Sequence, residues 1–350
     1  MKLLIHAING IGLGHVIRTG RIAEALKKLR PDGKIVFATN TKYSAILKES
    51  YKTYILRKDT REVIEGRYSY EEYLRYNEMA IRKIISHERP DAVLFDCELN
   101  KELVFFCRKN SIKTVYVLRI TTPKRFSDIK KYLDLFELVI VPHEEEGFPS
   151  DQKDLLLSLS AVFVGPIIDL RDCPKGSVRK NVLITFGSGA RIPENAPLYT
   201  AVDSFLAFLR KNDSMIGPHR VDVDIVTGPF YEGGCDLRGF TTRPTSDSLV
   251  EDMHRSRIVV SGAGYNTINE IIGTKTPAVV IPLSRRWDDQ FQRAENLGWL
   301  GCIKVAQKDI LGPMRDILEN WQDYHEKFPP IKSGNAHVAR ILSEALGQKI

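Results

Sequence analysis

Short apolar runs alternate with longer amphipathic stretches along this 350-residue chain, and this alternation restricts its fold more than any other feature. The apolar runs are rich in β-branched residues and bounded by turn signals, which is typical of buried strands, whereas the stretches between them have helical spacing. Such alternation predicts a parallel sheet with helices on both faces. In the first half we predict, alternately, strands and helices at Leu3–Ile8, Val16–Leu29, Ile35–Thr39, Tyr70–Ser86, Ala92–Phe95, Lys101–Lys109, Thr114–Leu118, Lys124–Leu135 and Leu138–Val141.

The same alternation begins again after residue 180. Gly165-Pro166 and a stretch rich in Pro, Gly and charge, Asp169–Lys180, separate the halves and are the expected linker. We therefore predict an α/β protein with two Rossmann-like domains, residues 1–165 and 166–330, followed by a helix within residues 331–350 that packs back on the first domain. In the second half the predicted strands and helices are, alternately, Val182–Thr185, Tyr199–Leu209, Val221–Val226, Ser246–Arg255, Ile258–Val260, Tyr265–Ile272, Ala278–Ile281 and Asp289–Leu297.

Composition excludes some classes of protein. The chain is 43% apolar and 27% charged, which excludes a mainly disordered or collagen-like chain. Basic residues outnumber acidic ones by 28 to 22 in residues 1–165, but only by 23 to 22 in residues 166–350. The first half is therefore expected either to contact an anionic partner or to have an ordinary solvated surface.

Cysteine usage and hydropathy bear on location. The five cysteines are scattered without a CxxC pair, which argues against a zinc site or disulfide framework and favours a reducing compartment. No run reaches the roughly 18 apolar residues that cross a bilayer, and Leu3–Ile17 has the pattern of a strand and loop rather than of a signal peptide. We therefore expect a cytoplasmic protein, with peripheral membrane contact left open.

The loop after the first strand contains Gly10, Gly12 and Gly14, followed by His15. Its spacing differs from the GxGxxG of nicotinamide-binding domains, and the second strand ends in Asn40-Thr41 without the expected acidic residue, so a dehydrogenase is disfavoured. Glycines at a helix N-terminus still let backbone amides approach an anion. A helix N-terminus also lowers the pKa of a nearby imidazole, so His15 is a candidate general base; the alternative is that it only caps the helix.

Asp96 ends the strand Ala92–Phe95 and is the second candidate catalytic residue. Its carboxylate could hydrogen-bond His15, fix the tautomer of the ring and stabilise the imidazolium. The alternative is that Asp96 caps a helix beginning near Glu98. Arg18 and Arg21 follow His15 on the same helix, and we expect them to share a face where they meet an anionic acceptor or are solvated.

Strands also lead into glycine loops in the second half. One loop is Gly187-Ser188-Gly189, and another is Gly262-Ala263-Gly264, whose glycines let backbone amides approach a diphosphate. Glu270 lies two turns into the following helix, where its carboxylate can accept hydrogen bonds from both hydroxyls of a ribose. Asp288-Asp289-Gln290 follow the next strand, and their amide and carboxylate groups suit the hydroxyls of a sugar.

These motifs carry a resemblance to a known family. The segment Ser261–Leu297 resembles the donor-binding region of GT-B glycosyltransferases, most of all the MurG-like group of family 28, which adds N-acetylglucosamine to a lipid-linked acceptor. Asn9–His15 is similar to that group's N-terminal glycine loop, Gly165–Ile167 to the turn entering its second domain, and Thr185–Arg191 to its glycine-rich loop beside the donor diphosphate. The resemblance implies the GT-B fold, with an acceptor-side domain and a nucleotide-sugar-binding domain facing across a cleft.

The resemblance also implies roles for individual residues. Glu270 would bind the donor ribose, Asp289 and Gln290 would face the donor sugar, and His15 would lie near the reacting centre. Enzymes of this type invert the anomeric carbon and need neither a bound metal nor a cofactor, so a nucleoside-diphosphate sugar, UDP-linked by resemblance, is the expected co-substrate. The residues expected around the diphosphate are Gly187, Ser188, Gly189, Gly262, Ala263 and Gly264, and those on the acceptor side, beside His15 and Asp96, are Gly12, Gly14 and Arg18.

Two departures keep an alternative open. Arg293 stands where the family often has Asn, and the N-terminal loop reads Gly-x-Gly-His-x-x-Arg from Gly12 to Arg18. This pattern is also similar to nucleotide-sugar hydrolases of the same fold, in which water is the acceptor. Transfer to a hydroxyl acceptor is the leading hypothesis, and hydrolysis of the donor is the alternative.

The stretch Tyr68–Tyr76 bears on partners. It has four tyrosines among charged residues but lacks a nucleic-acid recognition motif, so a non-catalytic nucleic-acid or nucleotide-sugar binding protein is the least favoured hypothesis. Aromatic and basic side chains together suit an anionic membrane surface, which a lipid-linked acceptor would explain. The basic residues concerned are at positions 57, 58, 61, 67, 75, 82 and 83.

Overall fold

The chain forms two compact units in its computed structural model, Met1–Ile167 with Lys332–Ile350, and Ile168–Ile331. The structure describes residues 1–8, 12–41, 45–57, 69–170, 181–190, 192–246, 249–285 and 287–347. Parts of the predictions fall outside these residues: Gly10 in the first loop, Tyr68 with basic positions 58, 61 and 67, Cys173, most of the linker Asp169–Lys180, and Arg191.

The first unit contains a seven-stranded sheet. Its strands are β1 (Lys2–Ala7), β2 (Lys34–Thr39), β3 (Lys52–Ile55), β4 (Ala92–Asp96), β5 (Lys113–Val117), β6 (Leu138–Val141) and β7 (Val162–Phe163). They pair in parallel in the order β3-β2-β1-β4-β5-β6-β7, with Leu3 of β1 opposite both Ile35 of β2 and Ala92 of β4. The order of strands therefore reverses between β1 and β4, where open α/β sheets bind ligands.

Helices cover both faces of this sheet. Leu4 belongs to one buried cluster, whereas Leu3 and Ile5 belong to the other, because alternate residues of a strand point to opposite faces. Val338 and Leu342 of the C-terminal helix (Asn335–Ala345) lie in the Leu3 cluster, so this helix packs on the first unit. The other helices are α1 (Gly14–Leu29), α2 (Ala45–Lys48), α3 (Tyr70–Glu88), α4 (Lys101–Lys109), α5 (Pro123–Ile129, continued by a 3-10 turn to Leu135) and α6 (Ser150–Ser158).

The second unit repeats this strand order in a six-stranded parallel sheet. The strands are β8 (Asn181–Thr185), β9 (Met215–Ile216), β10 (His219–Arg220), β11 (Val223–Val226), β12 (Thr241–Arg243), β13 (Ser256–Gly262), β14 (Ala278–Ile281) and β15 (Ile303–Val305). The sheet runs β12-β11-β8-β13-β14-β15, with its reversal between β8 and β13, while β9 and β10 form a separate hairpin. The helices are α7 (Ala196–Lys211), α8 (Leu249–Arg255), α9 (Tyr265–Thr274), α10 (Gln290–Trp299), α11 (Leu311–Glu319) and α12 (Trp321–Glu326).

The α/β class and the two parallel Rossmann-like sheets are confirmed. The sequence prediction missed strands β3, β12 and β15 at sheet edges, where partial exposure removes the continuous apolar run of a central strand. It also missed the short strand β7, helix α6 and the two helices that follow β15. Among the described residues, no helix is both long and apolar enough to cross a bilayer.

Candidate functional site

His15 and Asp96 come together at the strand reversal of the first unit. His15 is the second residue of α1, which follows β1, and Asp96 is the last residue of the neighbouring strand β4. The Nδ1 of His15 lies 2.9 Å from Oδ2 of Asp96 and 3.1 Å from its backbone carbonyl oxygen. The hydrogen bond suggested by the sequence is therefore present, whereas the N-cap residue of α1 is Leu13 and not His15.

The alternative role for Asp96 as a helix cap is wrong. The next helix, α4, begins at Lys101, and its cap is Asn100, whose side-chain oxygen accepts a hydrogen bond from the Leu103 amide at 3.1 Å. Asp96 is instead fully buried at the end of β4. A buried carboxylate needs partners, which here come from α1.

Arg18 corrects another expectation. We expected it to meet an acceptor or be solvated, but its side chain is 1% exposed and points into the protein. Its Nε donates to Oδ1 of Asp96 at 3.1 Å, and its Nη2 donates to Oδ2 at 2.6 Å. The physical reason is the buried negative charge of Asp96, which a two-pronged guanidinium neutralises best.

Cys97 and Arg119 complete this cluster and were missed from the sequence. Cys97 follows Asp96 with a φ of 62°, a left-handed conformation that is uncommon outside glycine and occurs preferentially at functional sites. Its thiol lies 3.4 Å from Nη2 of Arg18 and 3.3 Å from Nε of Arg119. The position of Cys97 directly after a candidate catalytic carboxylate was visible in the sequence and could have marked it as a site residue. Its left-handed backbone conformation was not visible there.

The environment sets the charge states of the cluster. Burial lowers the pKa of His15 below its ordinary value, against the hydrogen bond and charge of Asp96, while the charges of Arg18 and Arg119 lower it further. Burial alone would raise the pKa of Asp96, but the charge of Arg18 and the hydrogen bond from His15 hold it well below its usual range. The arrangement therefore favours an ionised Asp96 beside a neutral imidazole, which is the state of a general base.

Among the described residues, this cluster is also the group that could hold a metal ion. Ligand atoms of His15, Asp96 and Cys97 lie within 4.8 Å of one another. However, Arg18 donates to both carboxylate oxygens of Asp96 and approaches the thiol. A divalent cation would have to displace this fixed positive charge, so the donor set fits an organic base better than a metal.

In the second unit, the loop Gly187–Gly189 follows β8 and packs backbone against backbone. Gly189 has a φ of 74°, and a Cβ there would come 2.1 Å from the carbonyl oxygen of Thr227. Gly228 has a φ of 90°, and its Cβ would come 2.3 Å from the carbonyl carbon of Ser188. Glycine at these two positions is thus needed for the loop after β8 to lie against the loop after β11.

The loop Gly262–Gly264 begins at the last residue of β13 and leads into α9. Gly264 is the N-cap residue of α9 and makes no side-chain cap hydrogen bond, so the positive end of the helix dipole is not covered by a capping oxygen from that residue. Glu270 lies in the second turn of α9 and is buried, with 4% of its surface exposed. The loop and the carboxylate therefore lie on one strand–loop–helix segment beside the strand reversal.

The segment after β14 differs from the expectation that all its polar groups face a sugar. Asp289 caps α10 by accepting a hydrogen bond from the Gln292 amide at 3.0 Å. Gln290 is buried, and its side-chain oxygen accepts a hydrogen bond from the Leu283 amide at 3.1 Å. Each residue thus uses one side-chain oxygen in a hydrogen bond that stabilises the fold. The second carboxylate oxygen of Asp289 and the NH2 group of Gln290 take no part in these two bonds.

The predicted residues therefore form two sets, one in each unit. The first is His15 and Asp96, with Arg18 buried beneath them, and Gly12 and Gly14 at the start of α1. The second is the two glycine loops with Glu270, Asp289 and Gln290 at the carboxyl ends of β8, β13 and β14. That the two sets face each other across a cleft stays a prediction.

Comparisons with known proteins agree with this organisation. Residues 216–320 match the model of the glycosyltransferase family 28 C-terminal domain, which covers most of the second unit. A UDP-N-acetylglucosamine–N-acetylmuramyl-(pentapeptide) pyrophosphoryl-undecaprenol N-acetylglucosamine transferase of Aquifex aeolicus (strain VF5) is 28% identical over 153 residues, 41% of this chain and 44% of that protein. The match thus spans less than half the length of the curated relative. The resemblance to the MurG-like group is confirmed at this level.

Solved structures extend the likeness to the whole chain. The glycosyltransferase of kitacinnamycin aligns with a TM-score of 0.68 and 14% identity, covering 99% of both chains. The UDP-GlcNAc 2-epimerase from Neisseria meningitidis, solved with UDP-GlcNAc, aligns with a TM-score of 0.64 and 15% identity, also over 99% of both. At such low identity these likenesses establish the GT-B fold and no more.

Proposed function

We propose that this protein is an inverting, metal-independent glycosyltransferase that moves a sugar from a nucleoside-diphosphate donor to a hydroxyl acceptor. The observation that carries the proposal is the pair His15–Asp96, a buried ionised carboxylate hydrogen-bonded to an imidazole at a strand reversal. The family 28 domain in the other unit supports a donor that is a UDP-sugar, with N-acetylglucosamine as the first candidate sugar.

In this proposal His15 is the general base. Its Nδ1 donates to Asp96, which leaves Nε2 as the nitrogen that takes the proton of the acceptor hydroxyl. The hydroxyl oxygen attacks the anomeric carbon while the bond from that carbon to the donor diphosphate breaks, so the configuration inverts. The diphosphate departs with the bonding electron pair, and ionised Asp96 stabilises the imidazolium that forms.

The departing diphosphate is the second requirement. The start of α9 and the glycine loop before it would offer backbone amides and the positive end of a helix dipole, which stabilise developing negative charge without a metal. The adjacent loop Gly187–Gly189 would lie on its other side. Glu270 would hold the ribose hydroxyls, and Asp289 with Gln290 would orient the sugar.

We also propose that the protein is cytoplasmic and that its acceptor-side unit contacts an anionic membrane surface. We define the α3 surface as Tyr76 and Met79 of α3 with Phe105 of α4, each about half exposed. An arginine accompanies it, since the guanidinium of Arg57 lies 4.4 Å from the Tyr76 ring centre. Exposed aromatic and apolar side chains beside cations suit lipid headgroups, and binding to anionic vesicles at low salt tests this part.

Hydrolysis is the second candidate, favoured by the pattern from Gly12 to Arg18. The test is to incubate the wild-type protein with UDP-, GDP- and TDP-sugars labelled in the sugar, with and without hydroxyl acceptors. Product that requires an acceptor supports transfer, whereas free sugar released equally fast without acceptor supports hydrolysis.

The same assay separates the remaining classes. An altered sugar still attached to its nucleotide would indicate an epimerase, and donor binding without turnover would indicate a binding protein. Full activity in both His15→Ala and Glu270→Ala would reject the proposed site.

A further inference from the structure

Arg293 is a buried cation in α10 that the sequence marks only as a departure from the family. It is 5% exposed, and its Nη1 donates to the Ala263 carbonyl oxygen at 2.7 Å. Its Nη2 donates to Oδ1 of Asp288 at 2.6 Å, while Nη1 lies 3.3 Å from Oδ2 of the same carboxylate. One guanidinium therefore bridges a backbone carbonyl and a carboxylate.

The two partners of Arg293 belong to different loops. Ala263 lies between the glycines of the loop after β13, and Asp288 precedes the Asp289-Gln290 pair in the loop after β14. These strands are neighbours in the sheet, with Gly262 paired to Ile281. The guanidinium therefore ties together the two loops that continue these strands at the carboxyl edge.

Only arginine has the donors for this bridge. A guanidinium offers several N–H groups in a rigid plane, enough for a two-pronged contact with a carboxylate and a further bond to a carbonyl. The shorter amide of asparagine has a single NH2 group and no charge, so it could not replace this pairing. A buried arginine persists only when its charge is paired, as it is here by Asp288.

We propose that Arg293 is a positioning residue that fixes the spacing between the diphosphate loop and the sugar loop of the donor site. The inference rests on the proposed function and adds a residue to it. Because Arg293 occupies the carboxylate of Asp288, recognition of the sugar falls to Asp289 and Gln290. Because it also occupies the Ala263 carbonyl, that oxygen does not repel the diphosphate beside it.

The test compares the binding of two probes, UDP and UDP-N-acetylglucosamine, by titration calorimetry. In Arg293→Gln each loop remains but their spacing is released. We expect affinity for the sugar nucleotide to fall about 10-fold and kcat to fall further, while affinity for UDP changes less than about 3-fold, since misplacement of a bound group is costly mainly where the reaction occurs. Arg293→Lys, which keeps the charge, should recover part of the loss.

The matched control is Arg257→Gln. Arg257 also donates to a backbone carbonyl of the second unit, that of Leu318 at 3.0 Å, but it lies at the opposite end of β13. A purely structural role for Arg293 would lower thermal stability in both variants and leave the ratio of the two affinities unchanged. An unchanged ratio in Arg293→Gln overturns the proposal.

Two further outcomes are decisive. If Arg293→Gln does not fold, Asp288→Asn removes the ionic half of the bridge while the bond to Ala263 remains, and the affinity ratio should then shift about 3-fold; no shift overturns the proposal. A wild-type protein that binds neither probe and turns over no donor overturns the proposed function, and the role of Arg293 falls with it. If the wild-type protein binds both probes and the ratio of the two affinities is the same in the variants, the role of Arg293 is overturned and the proposed function stands.

Discussion

The carboxyl edges of the two sheets have the same strand order but different chemistry. In the first unit, the strand reversal between β1 and β4 holds side chains, the fully buried Asp96 with His15 and Arg18. In the second unit, the reversal between β8 and β13 holds mainly backbone, in glycine loops and a helix whose N-cap residue is Gly264. In the proposed function, the first edge moves a proton and the second surrounds an anion.

The difference shows which properties the fold decides and which it leaves to residues. Strand order fixes where loops converge, which is why both sites lie at a reversal. Whether the site reacts or binds depends on the residue type at the end of each strand, a titratable side chain in one unit and glycine in the other. If this division is correct, substitutions in the two units should change different kinetic constants.

Loss of the base should have the largest effect on turnover. We expect His15→Ala to lower kcat about 1,000-fold, a typical loss for a general base, and to leave the affinity for UDP unchanged, because in the proposal the other unit holds the nucleotide. Steady-state kinetics with calorimetry measures both. The control is His87→Ala, because the side chain of this α3 histidine is 71% exposed. An equal loss of UDP affinity in His15→Ala would contradict the division of roles.

Gly189→Ala should have the largest effect on the binding edge. The new Cβ would lie 2.1 Å from the Thr227 carbonyl oxygen, on a backbone with φ of 74°, so the two loops must separate. We expect a loss of about 3 kcal/mol or more in the free energy of unfolding, measured by chemical denaturation.

Gly217→Ala is the matched control for this loss. Gly217 has a φ of 59°, and apart from its own chain neighbours no described residue has an atom within 4 Å of the Cβ that alanine would add, so only the backbone cost of about 1 kcal/mol applies. Equal losses in the two variants would show that the contact between the loops contributes nothing.

Much of this organisation could be predicted from the sequence. Central strands are buried on both sides, so their apolar runs are evident, and the two glycine loops follow from strands that end in small residues. The edge strand Lys52–Ile55 was missed because two of its four residues are exposed and no apolar run remains. Edge strands are selected for partial polarity, which hides them from a hydrophobic pattern.

The site residues were predictable by position but not by partner. The Asp96–His15 bond could be expected because the sequence places both residues at the carboxyl ends of strands, which meet at one edge of a parallel sheet. The pairing of Arg18 with Asp96, in contrast, joins residues that are 78 positions apart in the sequence. It depends on which face of α1 lies towards β4. A signal existed nonetheless, since Arg18 lies one turn after His15 and must share its face. Arg293 offered no such signal, because its two partners come from separate loops.

Glu270→Gln should give the reverse pattern to His15→Ala. The substitution keeps the size of a buried side chain but removes the charge that would accept two ribose hydrogen bonds. We expect affinity for UDP to fall about 10-fold, with kcat at saturating donor changed less than about 3-fold. Glu251→Gln on α8, whose carboxylate pairs with Arg255, is the control. A kcat loss without an affinity loss would place Glu270 outside the nucleotide site.

The smallest expected effect is a pH dependence of stability that originates in the first unit. His6 of β1 is buried, and burial lowers its pKa to about 4, with Asp96 opposing the shift. In the unfolded chain a histidine titrates near 6.5, so below that pH the unfolded state takes up a proton that the folded state does not. Stability is therefore lost as the pH falls, by about 1 kcal/mol between pH 7 and pH 5.5 from this residue. His15, whose pKa is also lowered, acts in the same direction.

Denaturation of the wild-type protein and His6→Leu at both pH values measures the contribution, with His87→Gln as control. The His6→Leu variant should be less stable at pH 7 through its altered packing, but its loss on acidification should be smaller by about 1 kcal/mol. An identical loss in both proteins would mean that His6 is protonated or hydrated in the folded state. Water would then reach the carboxyl edge of the first sheet more than the burial of its side chains indicates.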